Sequence, residues 1–323
     1  MFSAKRTIER SQTSGGFSGL VALAILAAGM AYFTPPAPAQ QTGQKTFASA
    51  SEATKALIAA LQMDDQPALA SILGPDANDI LSSGDAVEDK NDRDQFVQKY
   101  QQMHRMVMEP DGKTTLYVGA ENWPTPIPLV HKGAAWYFDT PAGKMEILYR
   151  RVGMNELAVI QTCRELVDAE KEYFSQPHDG DTTKQYARKF FSDPGKHNGL
   201  YWLMSPGDHE SPIGPLVASA AVEGYVPPSP DSQPQPFMGY YFRVLTSQGA
   251  GALGGRRNYL ADGKMTRGFA FIAYPAEYRS SGVMTFIVDQ NGIVYEKNLG
   301  ARTAEIAKAM PRYDRDPTWR KAD

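Results

Sequence analysis

The chain has 323 residues, 42% of them hydrophobic and 21% charged, with a formal net charge of −3. That length suggests two domains, and the composition supports ordinary buried cores rather than a disordered polymer. The acidic balance argues against nucleic-acid binding in general, which needs a basic face.

Lys5, Arg6 and Arg10 precede an apolar run over residues 20–30, followed by prolines and an Ala37-x-Ala39 pattern. A positive region, a short apolar core and a small-residue site make a secretory signal peptide over 1–39, with cleavage expected after Ala39. The alternative is an uncleaved anchor helix, because 17–33 sits at the short limit for spanning a bilayer. In either case the N-terminus meets the membrane, and the rest is expected to be exported, to a periplasm or a cell surface. Cys163 is the single cysteine, so no internal disulfide framework is expected. Lying near Leu166 and Val167 in a helical pattern, it reads as a small buried hydrophobe rather than a nucleophile.

After a polar linker at 40–45, Ser49-x-x-Glu52 has the spacing of a capping box. It opens a helix with Ala53, Ala56, Leu57, Ala60 and Leu61 on one face. Pro67 fits the first turn of a second helix that turns Leu69, Ile72 and Leu73 inward and ends at Gly74-Pro75. Residues 78–91 read as a polar loop. Asn91 or Asp92 would cap a third helix, whose buried stripe would be Phe96, Tyr100, Met103 and Val107. Strands are predicted at 114–118, 127–131 and 135–139, with Trp136 and Phe138 on one face of the last. Helices followed by a curved antiparallel sheet, over 46–151, resemble the cone-shaped domains of the nuclear-transport-factor-2-like superfamily. That scaffold hosts enzymes and inert modules alike.

A short helix at 144–151 leads to the longest helical pattern, 155–174, with Asn155 as cap and Leu157, Ile160, Val167 and Phe174 as stripe. Residues 176–236 are irregular and punctuated by prolines, with helix expected at 184–191 and 215–223. A strand at 240–246, a glycine-rich loop at 249–255, a strand from 269, an apolar run at 283–288 and the turn Asn291-Gly292 predict an antiparallel sheet. A short helix at 304–310 closes the chain. One helix, an irregular loop and a small sheet, over 152–323, resemble the globular part of type IV pilins and pseudopilins. The local match lies in Asn155-Glu156, Ala169-x-x-x-Tyr173, Gly239 to Val244 and Pro275-x-x-Tyr278-x-x-Ser281-Gly282-Val283. Val21 stands where a prepilin has its glutamate, so a pilin-like sheet domain is expected and not a pilus subunit. The expected fold class is α+β.

Sites of chemistry are few. His197, Asp208, His209 and Glu210 share one loop, but their spacing matches no zinc pattern. Asp79, Asp85, Glu88, Asp89, Asp92 and Asp94 lack the order of a calcium loop and read as a solvated loop. No Gly-x-Ser-x-Gly elbow occurs in the mature chain, and Ser280-Ser281-Gly282 reads as a turn. Glu121, Asp139, Glu277 and Asp289 are loose candidates for a glycosidase pair. Gly249-x-Gly251-x-x-Gly254 lies between strands and not before a helix, so it reads as a hairpin loop with Arg256 and Arg257 free to touch an anion.

Several segments resemble an uncharacterised bacterial family, domain of unknown function 2950. They are Phe47-Ala48-Ser49, Leu73-Gly74-Pro75-Asp76, Ser82-Ser83-Gly84-Asp85, Trp123-Pro124-x-Pro126-Ile127-Pro128-Leu129-Val130, Trp136-x-Phe138-Asp139-Thr140, Gly199-Leu200-Tyr201-Trp202 and Gly239-Tyr240-Tyr241-Phe242-Arg243. The resemblance implies an exported bacterial protein and no particular activity.

The sequence favours a non-catalytic envelope module that contacts a protein or glycan, with no catalytic residue, cofactor or metal assigned. Its candidate binding surface is Trp123, Trp136, Tyr274, Glu277, Tyr278, Arg256 and Arg257. One rival is a cell-wall or polysaccharide hydrolase using carboxylates near the domain junction. Another is a small-ligand binder in a hollow lined by Phe96, Tyr100, Trp123 and Trp136.

Overall fold

The computed structural model describes residues 40–228 and 233–322. The expected signal segment lies outside the described residues. Ser49 caps the first helix, Ala50–Gln62, by accepting from the Glu52 N–H at 3.1 Å. Glu52 reaches back to the Ala48 N–H at 3.0 Å, one residue further than in the standard box. The second helix, Gln66–Leu73, has Pro67 in its first turn and Asp65 as its cap. Both lay their apolar stripes into a core with Phe47, Leu129, Phe138 and Leu148.

The next stretch differs from the loop expected at 78–91. Asn78–Leu81 is a helical turn, and the third helix already begins at Ala86 and runs to Gln102. Asp85, not Asn91 or Asp92, is its cap, accepting from the N–H groups of Val87 and Glu88. The helix expected from Asn91 or Asp92 onward is present, but its start was hidden from a search for apolar periodicity because three of residues 86–91 are charged. Val107 does not extend the helical stripe. It lies in the strand His104–Met108, which begins an antiparallel sheet with Thr114–Val118, Leu129–Lys132 and Ala135–Phe138 in that order.

The short and the long helices expected at 144–151 and 155–174 are one helix, Thr140–Tyr173. Gly153 does not break it, and Asn155 is buried in its middle rather than capping its start. The expected division near residue 151 falls inside this helix. Leu148 belongs to the first core, whereas Val159, Ile160, Cys163, Leu166 and Val167 belong to a second. Leu157, expected in the stripe, is 66% exposed.

Residues 184–191 carry no helix, whereas Gly214–Val222 does. The second sheet is antiparallel, in the order Arg320–Lys321, Tyr295–Lys297, Thr285–Asp289, Ala270–Pro275, Tyr240–Leu245. Every residue of two of its inner strands, Thr285–Asp289 and Ala270–Pro275, is buried, so both faces are covered there. The neighbouring strand shows by what. Tyr240 points to the long helix, its hydroxyl 3.5 Å from Glu156 Oε1. Arg243, three residues on and therefore on the opposite face, donates to the carbonyls of Ala307 and Met310 at 2.8 and 2.6 Å. These belong to the C-terminal helix Thr303–Ala309 and its end. The sheet is thus held between two helices.

Candidate functional site

The two cores meet at a polar seam. Arg151 of the long helix is 5% exposed and donates to the carbonyls of Asp79 at 3.0 Å and Ile80 at 2.7 Å. Ser280 Oγ donates to the Asp79 carbonyl at 2.8 Å from the other side. One turn along the long helix, Asn155 Nδ2 donates to the Ser281 carbonyl at 3.1 Å. The loop that carries the candidate residues Glu277 and Tyr278 is therefore partly spent on joining the halves.

Asp85 ties a third segment to this seam. Its Oδ1 caps the helix, and its Oδ2 accepts from the Tyr225 hydroxyl at 2.9 Å and the Gly239 N–H at 3.0 Å. Asp89, also buried, accepts from the Ser83 N–H with both oxygens at 3.0 Å. Gly239 is required by this crowding. Its φ is +70°, and a Cβ there would stand 2.5 Å from Asn155 Nδ2 and 3.1 Å from Glu88 Oε2.

Above the seam lies a cleft of about 780 Å³ between the acidic helix, the long helix and the Val222–Tyr225 end of the short helix. Four carboxylates line it, Glu88, Asp92, Asp94 and Glu223, together with the amides of Gln62, Asn91, Gln95, Gln98, Gln101 and Asn155. No lysine or arginine is among the lining residues. A smaller hollow of about 370 Å³ adjoins it and shares Ala158, Glu223 and Met238.

Glu88 is the unusual group. Its Oε2 is shut off from water and accepts no hydrogen bond among the described residues. Burial pushes its carboxyl up to about 7; Asp85 and Asp92 add to the shift, while the Asn155 amide and Arg151 oppose it. Asp92 is also raised, burial again leading.

The residues singled out from sequence fall in separate places. Trp123 is 40% exposed, with the Arg150 guanidinium over its ring at 4.8 Å. Trp136 is half-buried against the first core and pairs through its backbone with Phe47. Tyr274 is buried in the second core and offers no surface. Glu277 is exposed beside Gly84, and the Tyr278 hydroxyl donates to Asn298 at 3.1 Å. Arg256 and Arg257 are exposed on the hairpin loop. There the Gly251 N–H already holds the chain's own Asp314 carboxylate at 2.7 Å, which occupies the place an anion would take. Phe96 is half-buried, and Tyr100 stacks on His104 at 3.8 Å. Tyr100, Trp123 and Trp136 each have a different partner.

Of the loose carboxylates, Glu121 pairs with Lys99 and Asp139 with Lys113, while Asp289 holds the turn at Asn291. His197 lies between Asp179 and Asp208, at 3.2 and 3.5 Å. The acidic cluster noted in the sequence is not a loop. Its members lie on one helix and at that helix's cap, or on the turn before it, and Glu88, Asp92 and Asp94 enter the cleft. Glu223 and Asn155 were missed as partners because they come from segments distant in the chain.

The fold and seam define an α+β protein whose two cores share one helix, with an acidic, amide-lined cleft where they meet. The chain belongs to the family described as Protein of unknown function (DUF2950), which matches residues 44–322. Neither a curated protein nor a solved structure matches it.

Proposed function

We propose that the protein is an exported, non-catalytic binding module of the bacterial cell envelope, with the acidic cleft as its recognition site. The observation that carries this is the cleft itself, about 780 Å³, where three segments distant in the chain bring carboxylates and side-chain amides around one space. A concave site with convergent polar groups is where proteins most often take a ligand. The signal-like N-terminus supports export, and the helix-on-sheet order, which resembles pilin-type domains, fits a role in assembly or contact.

The test is capture from a periplasmic extract and from isolated cell-wall material, with fractionation to establish where the protein resides. An Ala158→Trp variant that fills the cleft should abolish capture. Capture that is unchanged in this variant refutes the cleft as the site.

A second reading, a cell-wall or polysaccharide hydrolase, is favoured by the Glu88 carboxyl held near neutrality, where a general acid works best. Release of soluble fragments from cell-wall material by the wild type, and not by Glu88→Gln, would establish it in place of the binding role.

A further inference from the structure

The edges of the two sheets are not alike. At one edge of the first sheet, Ala135–Phe138 is closed by Phe47, which exchanges two main-chain hydrogen bonds of 2.9 Å with Trp136. One edge of the second sheet is the strand Arg320–Lys321, short and basic, which is how proteins commonly guard an edge against further pairing. The other edge of the first sheet, His104–Met108, has neither cover nor guard. It contains no proline, and its register with Thr114–Val118 runs without a bulge from end to end.

That register fixes which main-chain groups look outward. The Glu109 N–H donates to the Lys113 carbonyl and the Gly119 N–H to the Met103 carbonyl. Residues 103, 105, 107 and 109 therefore turn their main-chain groups toward the neighbouring strand, and His104, Met106 and Met108 turn theirs away. Among the described residues none of these outward N–H and C=O groups has a hydrogen-bond partner. The three side chains share one face. Met106 is 40% exposed on it and Met108 70%. Arg105, on the opposite face, is held back by the Tyr117 ring at 4.3 Å and by Asn122 at 2.7 Å, so it does not guard the edge as a free charge would.

We infer that His104–Met108 pairs antiparallel with the same strand of a second copy of this chain, about a two-fold axis at Met106. The pairing lies apart from the cleft and does not rest on it.

The strand is complementary to itself in one register. With Met106 against Met106, His104 meets Met108 of the second copy, and every outward-facing residue exchanges hydrogen bonds with another. Arg105 then stands opposite Val107 of the second copy, so no like charges face each other directly. Moving the axis to Arg105 would set the two arginines opposite each other. Moving it to Val107 would set His104 against Pro110, which has no N–H to give. On the shared face the two Met106 side chains cover each other. Each Met108 lies against the His104 ring of the other copy, a ring already stacked on Tyr100 at 3.8 Å. Methionine adapts well to such contacts. One short strand buries little surface, so the dimer is a weak one.

Sedimentation velocity of the full chain, over a series reaching about 500 μM, reads the association. The wild type should double its mass across this range. Met106→Pro removes an outward N–H while sparing the ladder to Thr114–Val118, and should weaken the dimer about tenfold or more. Met106→Lys and Met106→Glu each set like charges face to face and should remain monomeric. An equal mixture of these two should recover the dimer, because this register alone brings the lysine against the glutamate. Near-ultraviolet circular dichroism matching the wild type shows that each variant is folded, and the charge pair carries the test if the proline variant is not. A wild type that stays monomeric throughout, association unchanged by Met106→Lys, or a mixture no better than its parts overturns the inference. So does growth beyond a dimer, because a two-fold pairing closes on itself. A chain that stays monomeric and takes up an unrelated extended peptide at this edge assigns the edge to another partner and overturns it equally.

Discussion

Tyr225 and Asp85, 140 residues apart, are joined by a hydrogen bond of 2.9 Å that pins the segment after the short helix onto the cap of the acidic helix. The same aspartate oxygen accepts from Gly239, so one side chain fixes the start of a helix and the floor of the cleft. Asp85→Asn keeps the capping oxygen but turns an N–H₂ toward two donors. It should cost about 2–3 kcal/mol, whereas Tyr225→Phe should cost about 1 kcal/mol. Urea unfolding of both variants checks this, and equal costs would mean that the Gly239 contact contributes nothing.

Glu88 makes stability depend on pH. Its folded carboxyl lies near 7 and the unfolded value is 4.5, so the folded state disfavours the ionised form. The stability of the neutral acid is complete below about pH 4.5 and is lost as pH rises through about 7. Glu88→Gln, which stays neutral, should match the wild type near pH 4.5 and exceed it by up to about 3 kcal/mol at pH 8. Thermal unfolding of both proteins across this range measures the difference. A constant gap at all pH values would show that the carboxyl is not perturbed.

Arg151 supports the seam through a forked donor geometry. Arg151→Lys keeps the charge but reaches the Asp79 and Ile80 carbonyls with one compact ammonium. It should lose about 2 kcal/mol, and Arg151→Ala about 3 kcal/mol, because buried carbonyls are left unpaired. Full recovery by lysine in chemical denaturation would contradict the role given to the fork.

Cys163 is fully buried on the long helix, and burial pushes its thiol up to about 12. It should resist iodoacetamide at pH 8 in the native protein and react fully in denaturant. Mass spectrometry of the modified chain reads this directly. Rapid native labelling would place the thiol at the surface.

Gly239→Ala introduces a methyl group at φ +70°, where it would stand 2.5 Å from Asn155 Nδ2 and 2.9 Å from Ser281 Cβ. Backbone strain and the clash together should cost at least about 2 kcal/mol. A lowered urea midpoint, with loss of whatever the cleft binds, is the expected result.

The sequence by itself determined the elements with strong local signals. Ser49 and Glu52 announced a capped helix, Pro67 a first turn, and the alternating apolar residues after Gly268 a buried strand. Local preferences and periodicity decide such features before any long-range contact forms. The start of the acidic helix, residues 86–91, was illegible for the same reason. That stretch has only Ala86 and Val87 as apolar residues, and it is started by the Asp85 cap, which Tyr225 holds from a distant segment. Nor could periodicity show that one helix would run past Gly153 and serve two cores, because that depends on what packs on each half. The cleft is the clearest case. Glu88, Asn155 and Glu223 are spread over more than a hundred residues, and only the tertiary structure sets them around one space. Burial then turns an ordinary glutamate into a group poised near neutrality, which no reading of its sequence neighbours could supply.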